Sequence, residues 1–90
     1  MYYVYLIYSK QYQQFYLGYS GDLRKRIKSH LEGLNKSTRK ANDWQLVYYE
    51  AYVNKRTAMK RERSLKRSGK AYHSLKLRII DGLGEGEALD

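Results

Sequence analysis

The chain reads as a small domain of the α/β class in its broad sense, α+β by the order of its elements, with three strands and three helices. Three observations predict this. Residues 2–8 and 15–19 are aromatic and β-branched runs separated by six polar residues. Residues 44–53 form a third such run, and apolar residues recur at helical spacing in polar stretches beginning near 22, 54 and 71. Aromatic and β-branched side chains fit a pleated, half-buried surface, whereas recurrence every three or four residues builds one face of a helix.

The linker Ser9-Lys10-Gln11-Tyr12-Gln13-Gln14 is too short for a crossover, so the first two strands are expected to pair antiparallel as a hairpin. A side-chain period of two puts Tyr3, Tyr5 and Ile7 on one face of the first strand and Tyr16 and Gly18 on one face of the second. If these faces coincide, Tyr5 and Tyr16 stand beside a position with no side chain. Ser20-Gly21-Asp22 then turns the chain into a helix over 22–34, with Leu23, Ile27, Leu31 and Leu34 as its apolar stripe. Ser20 or Asp22 can cap its start, and Gly33 lies near its end. Arg26 and His30, four apart, flank the stripe and can reach the rim between helix and sheet, while Lys25, Lys28 and Ser29 point further away.

Residues 35–43 lack apolar periodicity and read as a loop, in which Lys36, Thr38, Arg39 and Lys40, with Ser37, are suited to phosphate oxygens. After the third strand, Asn54 caps an intensely basic helix running to 67, with Ala58, Met59 and Leu65 as its apolar face. Glu62 is the only acid of that helix and lies between those apolar residues, so it is expected to point inward. An inward carboxylate is too costly to leave isolated, and either a salt bridge to a neighbouring base or a metal-binding role would satisfy it. Ser68-Gly69-Lys70 breaks the helix. A last one over 71–80 offers Leu75, Leu77, Ile79 and Ile80 for burial, with His73 as a surface or capping residue. The segment 81–90 is Gly-rich and acidic and is expected to be a mobile tail beyond a domain of residues 1–80.

Eighteen Lys and Arg against nine Asp and Glu give +9 overall, and four of the acids fall after residue 80, which leaves residues 1–80 at +13. Such a density on a small body favours a polyanion such as DNA or RNA, because neutralised phosphates release their counterions. The absence of cysteine excludes a disulfide framework, a thiolate nucleophile and a Cys-based zinc site, and two histidines leave little for a His-rich metal site. No apolar run approaches bilayer length, and a cytoplasmic protein with no membrane partner is expected.

The succession of a strand with Tyr5, a strand with Tyr16 and Gly18, a helix with Arg26 and His30, a basic loop, a strand and a helix with Glu62 resembles the GIY-YIG nuclease family. Its small stand-alone bacterial (UPF0213-like) members are the nearest in kind. The family's first triplet falls on Tyr3-Val4-Tyr5, its second on Tyr16-Leu17-Gly18, its helix arginine on Arg26, the following histidine on His30 and its acidic metal ligand on Glu62. Either triplet alone is a weak signal, but the joint spacing over residues 1 to about 80 is much stronger. Tyr3 stands where the eponymous triplet has Gly, and no residue matches the asparagine seen near the C-terminal helix in some members.

The resemblance implies a three-stranded antiparallel sheet flanked by helices and metal-dependent phosphodiester hydrolysis. The residue types suit that chemistry. Arg26 offers a permanently charged fork for the non-bridging oxygens, and Glu62 can hold one hydrated Mg²⁺ or Mn²⁺ that also touches substrate phosphate. Tyr5 or Tyr16 is expected to position or deprotonate the attacking water, a base role needing the metal and Arg26 to favour phenolate. His30 can bind phosphate or assist proton transfer, and Gly18 is expected to let the substrate backbone come close. An endonuclease with little base specificity is the reading this supports. The rival is a catalytically silent DNA- or RNA-binding module on the same fold.

Overall fold

The computed structural model describes the backbone of residues 1–89 and the side chains of 1–82. It contains strands β1 (Tyr2–Ser9), β2 (Gln14–Ser20) and β3 (Gln45–Tyr52) and helices α1 (Leu23–Leu31), α2 (Lys55–Arg67) and α3 (Gly69–Leu89), in the order β1-β2-α1-β3-α2-α3. The strands form one antiparallel sheet with β1 in the centre and β2 and β3 at its edges. Val4, Tyr5, Leu6 and Ile7 are all fully buried. Four consecutive buried residues on a strand mean that both faces of the sheet are covered.

The two faces carry separate cores. Val4, Leu6 and Leu17 pack on one side against Ala58 and Leu65 of α2 and Leu75 of α3. Tyr5 and Ile7 pack on the other against Ala41 and Trp44, with Tyr16, Leu23, Ile27 and Leu46 half-buried around them. The hairpin register sets Tyr5 opposite Gly18 and Ile7 opposite Tyr16, so the faces suggested by the alternating pattern do coincide. Gln13 closes the hairpin with φ of 52°, in the left-handed region.

The apolar stripes are shorter than the sequence suggests. The side chain of Asp22 caps α1 by accepting from the Lys25 amide at 3.1 Å, but the helix stops at Leu31 and the chain turns at Gly33, whose φ is +72°. Leu31 and Leu34 are exposed, while Ala41 and Trp44 of the following connection pack with Tyr5 and Ile7 on this face. In α2, capped by Asn54, Met59 sits a further 100° round from Ala58 and faces largely outward. In α3 the buried face is Leu75 with Tyr72 and Ile79 packed beside it, and Leu77 and Ile80 are exposed. The backbone of α3 runs past residue 80 to Leu89, while the mobility expected of the 81–90 tail rests on residues outside those described in full.

One polar cluster fixes α2 to the sheet. Tyr48, Glu50 and Tyr52 alternate onto the α2 side of β3, and the Glu50 carboxylate accepts from both tyrosine hydroxyls at 2.6 Å. It also accepts from Arg61 Nε and Nη2 at 2.9 and 3.0 Å. Burial alone would raise the Glu50 pKa, but the guanidinium and the two hydroxyls outweigh it and bring the value down to about 2. Among the described residues no helix is long and apolar enough to cross a membrane.

Candidate active site

The site is built on a missing side chain. Gly18 lies directly across from Tyr5, and the space a Cβ would take there is filled by the Tyr5 ring. The ring therefore lies across β2, with its hydroxyl oxygen the atom nearest that position. This corrects the expectation that Gly18 admits a substrate backbone: the glycine is buried, and the group it admits is Tyr5.

From there a buried hydrogen-bonded chain leads inward. The Tyr5 hydroxyl lies 2.7 Å from His30 Nε2, and His30 Nδ1 lies 2.7 Å from Thr38 Oγ1. All three residues are essentially fully buried. Thr38 is in turn held by its backbone, whose carbonyl accepts from Trp44 Nε1 at 2.8 Å and from the Ala41 amide at 3.2 Å. Thr38 thus leaves the set of surface phosphate contacts and joins the site as the residue behind His30. The sequence carried a signal for this only in Trp44, a bulky aromatic close after the loop that needed both an apolar slot and an acceptor for its N–H.

Arg26, Tyr16 and Glu62 converge on this chain. The Tyr16 ring packs against His30 with centroids 5.2 Å apart. Arg61 reaches Glu50 on β3, whereas Glu62, 100° further round α2, lies near enough for its charge to act on Tyr5. Burial first, then Tyr16 and, least, the Glu62 charge push the Tyr5 pKa up to about 12, against the Arg26 guanidinium, which pulls it down. Arg26 thus favours phenolate as expected, but it is outweighed, and Tyr5 keeps its proton at neutral pH. Burial and then the Arg26 charge lower the His30 pKa, which keeps the imidazole neutral and able to accept a proton.

On the outer side of Arg26 a depression of about 430 Å³ is lined by Ser20, Asp22, Lys25, Arg26 and Ser29. Lys25 and Ser29 therefore share the flank of Arg26 and do not point away from it. The loop bases behave differently from one another. Lys36 and Arg39 are exposed, whereas Lys40 places its Nζ 5.1 Å from the centroid of the Tyr12 ring in the hairpin turn, a cation–π contact. The same turn is tied to the loop by Asp43, which accepts from Ser9 Oγ at 2.6 Å and from the Gln11 amide at 2.9 Å.

Glu62 is less inward than its helical position suggests: its side chain is 23% exposed, and Lys66, one turn on, contacts its Oε2 at 3.3 Å. The described residues hold no cluster of three or more metal-ligating side chains. A single, partly solvated carboxylate is a donor that a hard divalent cation keeping most of its waters can use. The single lysine contact is of the surface kind that contributes little and can be exchanged.

The GIY-YIG catalytic domain matches residues 1–76 of the chain. A UPF0213 protein of Clostridium perfringens is 40% identical over 81 residues, which are 89% of this chain and 83% of that protein. The solution NMR structure of a UPF0213 protein from Bacillus halodurans is similar over 88% of this chain and 85% of its own, at 31% identity and a TM-score of 0.53.

Proposed function

This chain belongs to the GIY-YIG family, and on that premise we propose that it is an endonuclease hydrolysing phosphodiester bonds in DNA, with one Mg²⁺ or Mn²⁺ and little base specificity. The observation that carries the reading is the buried Tyr5–His30–Thr38 chain with Arg26 and Glu62 acting on its outer end. A fold kept only to hold nucleic acid gains nothing from a proton path of this kind.

The reaction joins a water oxygen to phosphorus and breaks the bond from phosphorus to the 3′ oxygen, leaving a 5′-phosphate and a 3′-hydroxyl. A tyrosine held near pKa 12 is a poor free base, but it can relay. With its proton on Nδ1, His30 donates to Thr38 and accepts from Tyr5. As the attacking water gives its proton to the Tyr5 oxygen, Tyr5 passes its own to His30 Nε2, so the charge ends on an imidazole and no phenolate forms. Tyr16, half-buried beside them, orients the water. Arg26, with Lys25 and Ser29 along the same flank, neutralises the non-bridging oxygens. Glu62 would hold the cation, which when bound supplies Lewis-acid stabilisation of the phosphoryl and leaving oxygens. A +13 body over residues 1–80 suits the polyanionic substrate, and a cytoplasmic setting belongs with this reading.

Incubation with single-stranded, duplex and flap DNA and with RNA, with and without Mg²⁺, tests the proposal. Metal-dependent cleavage of DNA is the expected result. Binding without cleavage of any of the four would leave the silent binding module in its place.

A further inference from the structure

A groove of about 710 Å³ lies apart from the site described above. It lies on the other side of α1. Arg26 and Ser29 face the site from one flank of that helix, and Arg24, Lys28 and Leu31, 100° or more away round it, line the groove from the other. The groove is walled by Ile27 and Leu31 of α1 and by Leu46 and Tyr49 of β3. Tyr3 stands edge-on to Tyr49, with ring centroids 5.9 Å apart and planes at 66°. Leu31 and Tyr49 are 45% and 53% exposed, and both lie here. A volume of this size falls within the range of small-ligand pockets, at roughly 300–1,000 Å³.

We propose that this groove takes an unpaired base of the nucleic acid, stacked against Tyr49, with the flanking phosphates held by Arg24 and Lys28. The inference deepens the nuclease reading and rests on it for the class of ligand. A ring with an exposed face, apolar walls and two cations one helical turn apart at the rim are the parts of a single-strand platform: stacking for the base, charge for the backbone. The charge decides against a second copy of the chain. A two-fold contact through the groove would set Arg24 and Lys28 against their own counterparts, on a body already strongly positive. A polyanion is the complementary occupant. Since α1 is about 10 Å across, a strand lying over it can reach both the groove and the Arg26 flank.

The test is metal-free binding, so it does not depend on cleavage. Anisotropy at about 0.15 M salt compares labelled (dT)₁₂ with an abasic 12-mer carrying the same phosphates. The wild type should bind the base-bearing strand about tenfold tighter. Tyr49→Ala and, independently, Leu31→Glu should abolish that preference, and Tyr49→Ala should leave abasic affinity unchanged. Equal affinities in the wild type, or a preference that survives both substitutions, would overturn the groove, as would sedimentation showing a wild-type dimer that Tyr49→Ala makes monomeric. DNA cleavage with no base preference would sink the groove and spare the nuclease reading. A preference without cleavage would do the reverse.

Discussion

Gly18→Ala adds one carbon and tests the construction of the site directly. The new Cβ would lie 2.9 Å from Tyr5 Cε1 and closer still to Cζ and the hydroxyl oxygen. Comfortable carbon contacts begin near ~3.5 Å, so the ring must retreat by roughly half an ångström at Cε1 and by about one at its far end. Tyr5 has no exposed surface to retreat into, and its hydroxyl is fixed to His30 at 2.7 Å. Overpacking of this kind costs about 1–3 kcal/mol, or a Tm lower by roughly 5–20 °C in a domain of this size. A displacement of about an ångström at a reacting group can cost on the order of a hundredfold in rate.

Thermal melts and single-turnover cleavage with Mg²⁺ read the two effects separately. Gly21→Ala is the matched control, since its Cβ would meet only Tyr2, at 3.7 Å, and it should change Tm by no more than a few degrees. Combining Gly18→Ala with Tyr5→Phe removes the closest contact and should return part of the lost stability but none of the activity. A Gly18→Ala protein with wild-type Tm and wild-type rate would show that Tyr5 does not occupy the place described.

Four further outcomes are expected. Arg26→Ala and Arg26→Lys should each lower single-turnover cleavage by on the order of a hundredfold, whereas Arg24→Ala, a phosphate contact in the groove across α1, should act mainly on binding, because Arg26 acts on Tyr5 and Arg24 lies on the other flank; equal effects on the single-turnover rate at saturating DNA would reduce Arg26 to one more phosphate contact. Glu62→Gln should abolish metal-dependent cleavage and spare binding, and wild-type cleavage in that variant would end its assignment as metal ligand. Thr38→Val should lower the rate by about 10–100-fold with binding unchanged, and Thr38→Ser should restore it, since a hydroxyl is what gives His30 Nδ1 its buried hydrogen-bond partner and holds the ring in place; a Ser variant as poor as Val would make the role one of shape. Because folding lowers the Glu50 pKa from 4.5 to about 2, its contribution, on the order of 3 kcal/mol, is complete above about pH 4.5 and lost as pH falls towards 2; acid unfolding of Glu50→Gln should lack that component.

The elements that local pattern could define were legible. Three strands, the hairpin pairing, both helix caps and the face shared by Tyr5, Tyr16 and Gly18 all follow from side-chain period and turn length. What failed were inferences about what lies on the far side of a residue. Leu31, Leu34, Met59, Leu77 and Ile80 sit at helical spacing, yet each is exposed, because burial depends on a second element being present and periodicity says nothing of it. Thr38 shows the converse. In a run of lysine, serine and arginine it reads as a phosphate contact, and only the fold brings it to His30, eight residues back along the chain. Glu50 and Arg61 are eleven residues apart on different elements, and no local signal marks them as partners.

That pair has a consequence for Glu62. A helix packed by small and aliphatic side chains such as Ala58 and Leu65 has little to prevent it rolling about its axis, and a roll of one residue's angle would exchange Arg61 for Glu62. The bidentate grip of Arg61 on Glu50, itself fixed by two tyrosine hydroxyls, sets that angle. The angle so fixed also sets where Glu62 projects, and the Lys66 contact at 3.3 Å is then its surface-type partner. Replacing Arg61 by Lys keeps the charge and loses the fork. The positioning of Glu62 should then loosen while Tyr5, His30 and Thr38, which belong to the other face of the sheet, stay in place.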